Sequence, residues 1–121
     1  MVSRRETVEI VDKLIELTQH NNVVWESSKP PDNLTGTDVR IDLVYAAFHL
    51  NKHIRIYQKE YKLFMGKSRH TWDSEVVFEF IDPSGHSLLQ FPETNNVVNL
   101  FNAVQYQNSK VSDFYKDLVG K

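Results

Sequence analysis

NKHIRIYQKEYKL, residues 51–63, and DSEVVFEFID, residues 73–82, both alternate with the period of two that belongs to a β-strand. One antiparallel register puts like with like. It sets Ile54 opposite Phe80, Ile56 opposite Phe78 and Gln58 opposite Val76, which fills one face with carbon. The same register sets Arg55 opposite Glu79 and Lys59 opposite Glu75 on the other face. Cross-strand pairs of opposite charge favour a register by a few tenths of a kcal/mol up to ~1 each, and a slip of one residue would send every side chain to the wrong face. Two independent signals therefore select one pairing.

The flanking segments extend the sheet. Asp82-Pro83-Ser84-Gly85 is turn chemistry, and folding back there predicts Leu89 beside Phe78 and Phe91 beside Val76. Upstream, Val39, Ile41, Leu43, Tyr45 and Ala47 alternate, and a tight turn near Asn51-Lys52 lays them beside Ile54 and Ile56. The second face of this four-stranded meander then holds Val44, Ala46, Phe48, Tyr57, Val77, Ile81 and Leu88 among its charges. That is too much apolar surface for a small domain to leave in water, so a cover over it is expected.

Helices supply cover at both ends of the chain. Ser3-Arg4-Arg5-Glu6 is a capping box, and Val8, Ile10, Val11, Leu14, Ile15 and Leu17 form the apolar half of the helix it starts, which Asn21-Asn22 can end in the left-handed conformation. Val23-Val24-Trp25 is expected to add a short edge strand. Residues 27–38 and 64–72 read as long loops. Thr94 is the expected cap of a helix with the stripe Val97, Val98, Leu100, Phe101 and Val104; after a break at Asn108-Ser109, the stripe Val111, Phe114, Tyr115, Leu118 and Val119 runs to Gly120. The expected fold is α+β over residues 1–121 as one domain: an antiparallel four- to five-stranded sheet, a meander, with an N-terminal helix and one or two C-terminal helices. The helices are expected on one or both sheet faces.

Composition narrows the function classes. A chain of 121 residues can bury roughly two-thirds of its unfolded surface in one core without metal or disulfide. Cysteine is absent, which removes thiolate metal sites and thiol nucleophiles and fits a reducing compartment. No apolar signal core or membrane-length apolar run appears, so a cytoplasmic protein without a membrane partner is expected. The net charge of −2 gives no overall attraction to nucleic acid, which is not expected as a partner. It hides a division, because residues 51–70 hold Lys52, Arg55, Lys59, Lys62, Lys67 and Arg69 against Glu60 alone, a balance of +5 that leaves −7 elsewhere.

Chemistry-bearing constellations are sparse. The five histidines include His49 and His53 at helical ligand spacing, but these bracket a hairpin, and no metal site is expected. Asp42, Glu75, Glu79 and Asp82 offer no identifiable acid and base pair, and neither a nucleophile elbow nor a Gly-rich phosphate loop occurs. No catalytic residue, no cofactor and no enzymatic activity are expected. Two binding surfaces stand out. The stripe Arg55, Tyr57 and Lys59, with Arg69 and Trp72 in the following loop, has the cations and rings of a site for a phosphate-bearing ligand; a salt-bridged face under a helix is its plainer explanation. The helix after Thr94 carries no charge through Ser109 and shows Asn95, Asn99, Asn102 and Tyr106 on its polar side, as the centres of protein interfaces do; Phe48 is a further candidate contact. The reading is a small self-associating protein-binding module, inhibitor-like or immunity-like, expected to be a homodimer. The alternative is a domain for a nucleotide or another phosphate-bearing small molecule.

Overall fold

The computed structural model describes residues 2–120. It is an α+β fold with the order α1 (Arg4–Gln19), β1 (Glu26–Ser28), a 3-10 turn (Asp32–Leu34), β2 (Val39–Arg40), β3 (Val44–His49), β4 (Lys52–Phe64), β5 (His70–Ile81), β6 (Ser87–Gln90), α2 (Val97–Ser109) and α3 (Val111–Val119). All six strands pair antiparallel, five of them in the order β1-β3-β4-β5-β6, while β2 lies beside β4 further along the edge that β3 occupies.

The central register is the one that packing and charge select. Ile54 pairs with Phe80, Ile56 with Phe78, Gln58 with Val76, Arg55 with Glu79 and Lys59 with Glu75. Its neighbours depart from the simple register in two places. β6 is displaced by two residues, so that Leu89 faces Phe80 and Phe91 stacks on Phe78, with ring centroids 4.6 Å apart. The Asp82–His86 loop supplies one residue of this displacement and a bulge between Phe80 and Ile81 the other. Asp82 accepts from the backbone of Gly85 and, through its carboxylate, of His86, and Gly85 takes φ 90°, so the chain turns later than a tight turn would. A shift of two preserves the face, and the apolar residues stay inside.

Upstream, Arg40 pairs with Glu60 and Val44 with Tyr57, which leaves three residues on one strand opposite two on the other. This extra residue turns Val39 and Ile41 to the face opposite Tyr45 and Ala47, where they pack with Val44, Tyr57 and Val77. The hairpin turn lies at Leu50-Asn51, both in the left-handed region that a two-residue hairpin demands. Strands also reach further than expected into the second connection, and only residues 65–69 are loop.

Both packed helices lie on the same sheet face. Val11 and Leu14 of α1 and Val97, Leu100, Phe101 and Val104 of α2 share one core with Tyr45, Ala47, Ile54, Ile56, Val76, Phe78 and Phe91. Of the two arrangements expected, helices on one face or on both, the packed helices take the first. The second face is covered instead by chain with little regular structure: Leu34 of the 3-10 turn packs on Ile41, Val44, Tyr57 and Val77, and the Asp82–His86 loop lies over Arg55. Phe48 and Leu88 at the margin stay exposed.

α1 begins with the capping box that its sequence predicts. Ser3 Oγ accepts from the Glu6 backbone at 3.0 Å and the Ser3 backbone donates to Glu6 Oε1 at 3.1 Å. It ends with Asn21 at φ 58° and with Asn22 donating back to the Leu17 carbonyl, the left-handed stop that Asn tolerates. Val23 and Trp25 are core residues rather than a strand, and the edge strand β1 starts one residue later. Thr94 is buried and hydrogen-bonds to the Asn96 side chain, while Asn96 takes the cap position without a capping bond of its own.

Amide side chains of α2 hold it to α1 at both ends. Asn96 donates to the Val8 carbonyl and to Asp12 Oδ1. Gln107 accepts from the Trp25 backbone at 2.8 Å and donates to the carbonyls of Thr18 and Val23. With N-terminal tied to N-terminal and C-terminal to C-terminal, the two helices run in the same direction. Gln107→Leu leaves those three backbone groups without their partner and is expected to cost roughly 1–3 kcal/mol in chemical denaturation, whereas Gln105→Leu on the exposed side should stay within ~0.5 kcal/mol.

Candidate functional site

The long β4–β5 hairpin carries the basic stripe, and its pleat divides the stripe between two faces. Arg55, Tyr57 and Lys59 alternate onto the face away from the helices. Arg55 is 3% exposed and Glu79 is 2% exposed. Arg55 Nε donates to Glu79 Oε2 at 2.7 Å, its Nη2 lies against the same oxygen, and its Nη1 donates to the Gly85 carbonyl at 3.0 Å. The guanidinium also sits 5.7 Å from the centroid of the Tyr57 ring. Lys59 and Glu75 lie 3.4 Å apart at the surface.

Arg55 therefore spends its charge inside the protein and is closed to a ligand. Tyr57 is 4% exposed beneath Leu34 and its neighbours. Burial, with the Glu79 carboxylate second, pushes the Tyr57 phenol up to about 12 from 10.0, while Arg55 pulls the other way. An acid whose native pKa is raised holds its full stabilisation below the unfolded pKa and loses it as pH rises through the native one. Stability should thus decline between about pH 10 and pH 12 as the unfolded chain ionises first. Tyr57→Phe should flatten that part of the decline by up to roughly 2–3 kcal/mol, measured as urea midpoints across the same interval.

Trp72 lies on the other face. It pairs with Lys62, and the Arg40 guanidinium stacks on its ring at 3.6 Å, with Lys62 Nζ at 5.6 Å from the centroid. Two cations of the chain itself attend the indole, and Lys62 also pairs with Asp38 at 3.4 Å. Arg69 is in the tip loop, exposed, and forms no ion pair among the described residues, nor does Lys67. Arg55, Lys59, Arg69 and Trp72 are thus spread over two faces and the tip of the hairpin, and the structure does not bring them together in a single pocket.

The second candidate surface is helical. Asn95, Asn99, Asn102 and Tyr106 are all exposed along one side of α2. Behind them an open groove runs between α1 and α2 toward the start of α3, lined by Ile15, Val24, Ala103 and Tyr106 with the amides Asn99 and Asn102. α3 continues from this groove after Lys110, which turns the chain at φ 60°. Val111, Phe114, Tyr115 and Leu118 recur at positions i, i+3, i+4 and i+7, with Val119 beside them. These five are between 42% and 69% exposed, and α3 has no buried residue. An amphipathic helix without a core to cover is legible in the sequence as a pattern, but its exposure is a property of the fold.

Among the described residues no three His, Cys, Asp or Glu side chains gather as a metal site; His53 packs against Phe48 with ring centroids 4.5 Å apart, and His70 lies between Phe64 and Trp72. No helix among them is long and apolar enough to cross a membrane. Comparison of the chain with family models, with curated proteins and with solved structures finds no match.

Proposed function

We propose that the protein is a non-catalytic binding module of the cytosol that acts on another protein, as inhibitors and immunity proteins do, and that self-associates through its C-terminal helical face. The observation that carries this reading is α3, whose whole apolar stripe is exposed and joins neither hydrophobic core among the described residues. A helix of nine residues is too short to be stable alone in water, and large apolar side chains in one contiguous patch mark interaction surfaces. The neighbouring side of α2 fits the same use, because its amides both donate and accept and offer no charge to desolvate. The phosphate-ligand alternative is less well supported, since Arg55, Lys59 and Lys62 are already paired with carboxylates.

Sedimentation velocity tests the reading. The chain should sediment as a dimer at micromolar concentration. Leu118→Asp, and Asn99→Glu on α2, should shift it to monomer by roughly tenfold or more in dissociation constant while far-UV circular dichroism keeps the helical signal. A chain that remains monomeric up to ~100 µM, where an interface of ordinary size is well populated, would overturn it.

A further inference from the structure

The outer edge of β5 is bare over much of its length. At the hairpin loop the Met65 backbone donates to the Arg69 carbonyl, and in this register the odd-numbered residues of β5 therefore turn their backbone groups toward β4 and the even-numbered ones outward. On the outward side β6 pairs only with Glu79, Phe80 and Ile81, and Phe91 adds a last bond by donating to the Phe78 carbonyl. Among the described residues no strand lies beside the stretch from Val76 back to His70, which leaves roughly 20 Å of open edge at ~3.4 Å per residue. The terminal strands of the sheet are shorter, with three residues in β1 before Pro30-Pro31 and four in β6 before Pro92. A long open edge is a template on which another chain can add a strand.

Two carboxylates occupy this edge. Asp73 Oδ1 accepts from the Ser74 backbone at 2.8 Å, and Glu93 Oε2 accepts from the Val76 backbone at 3.1 Å. Ser74 and Val76 are consecutive outward-facing residues, so the two bonds take the N–H groups to which an added strand would offer its carbonyls. Pro92 has no N–H with which to continue the ladder of β6, and the chain leaves the sheet there. Arg4 Nη1 donates to the Glu93 carbonyl at 3.0 Å and holds that backbone beside the edge. Both acids are exposed, and a strand laid over them would have to displace them and strip their charges of water.

We infer that Asp73 and Glu93 close the outer edge of β5 to the same edge of a second copy. Without them, two copies related by a two-fold axis can pair these edges antiparallel and join their sheets into one. With them in place, that pairing sets the carboxylates of both copies along one seam, which costs affinity, and finds the Ser74 and Val76 N–H groups already bonded. Closure of this edge confines association to other surfaces of the protein, and it does not depend on what α3 contacts.

Variants of the full chain, read by sedimentation velocity and amide hydrogen exchange, test the closure. Asp73→Ala with Glu93→Ala should assemble beyond the parent's own state at a concentration roughly tenfold or more below any at which the parent does so. As it assembles, the outward amides of Trp72, Ser74 and Val76 should become slower to exchange. Removing two acids also brings the net charge of −2 to zero, which by itself favours association. Glu9→Ala with Glu16→Ala, on the exposed side of α1, makes the same change of charge and should leave the parent's state unaltered. Ser74→Pro added to the Asp73→Ala, Glu93→Ala chain removes the central outward N–H and should return it to the parent's state, which it would not do for a chain that assembles by unfolding. Closure of the edge is overturned if the edge variant sediments as the parent does, if the α1 variant assembles equally, or if Ser74→Pro fails to reverse the assembly.

Discussion

Phe78→Ala is expected to lower the unfolding free energy by roughly 3–5 kcal/mol, visible as a large drop in urea midpoint with a nearly unchanged slope. Phe78 is 1% exposed at the centre of the sheet. It faces Ile56 across the strand pair, stacks on Phe91, and lies in the core that α1 and α2 close from above. Truncation there loses the transfer free energy of the ring and leaves a cavity among side chains held by three strands and two helices, which cannot collapse to fill it. Phe114→Ala removes the same atoms from α3, where the ring is 67% exposed, and should stay near ~0.5 kcal/mol in the monomer. The contrast separates a core phenylalanine from an interface one. Comparable losses at both positions would mean that α3 packs on its own chain after all.

The register of β4 with β5 was legible because the apolar side chains fix which faces meet and the charged pairs fix the alignment. Features that depend on an added or omitted residue were not. The displacement of β6 follows from how Asp82 closes its loop onto Gly85 and His86 and from the bulge between Phe80 and Ile81, and the turning of Val39 and Ile41 follows from one surplus residue before Val44. Neither leaves a mark in an alternating pattern, which fixes faces but not the point at which a loop closes. Amphipathicity likewise shows that α1 and α2 each own an apolar face, but not that both lie on one side of the sheet. That arrangement is enforced by Asn96 and Gln107, whose partners on α1 and before β1 are more than eighty residues away in sequence. For the candidate surfaces, the uncharged side of α2 and the stripe of α3 could be read from spacing alone. The burial of Arg55 and Tyr57 could not, because it depends on what the segments around Leu34 and Gly85 fold over.

Arg55 and Glu79 carry the second large effect, and its sign depends on how the pair is removed. Either single truncation, Arg55→Ala or Glu79→Ala, strands one charge in a site where both partners are almost fully buried, and roughly 3–5 kcal/mol should be lost. Arg55→Ala also frees the Gly85 carbonyl, so it should loosen the Asp82–His86 loop, measurable as faster amide exchange at His86, in a way that Glu79→Ala does not. Replacing both members with apolar residues of similar length, Arg55→Met with Glu79→Leu, removes both desolvation penalties beside Tyr57 and Val77, which already make this patch apolar. The double variant should then lie within ~1–2 kcal/mol of the parent, far above the sum of the single losses. What the ion pair contributes is alignment. The stripe Ile54, Ile56, Phe78, Phe80 would tolerate a slip of two residues with little loss of burial, but such a slip would place buried Arg55 opposite Val77 or Ile81 without its carboxylate. Heterogeneous strand pairing in the double variant, seen as multiple amide resonances for β5 where the parent shows one set, is the expected consequence. A single sharp set would show that packing alone holds the register and that the buried pair is dispensable to it.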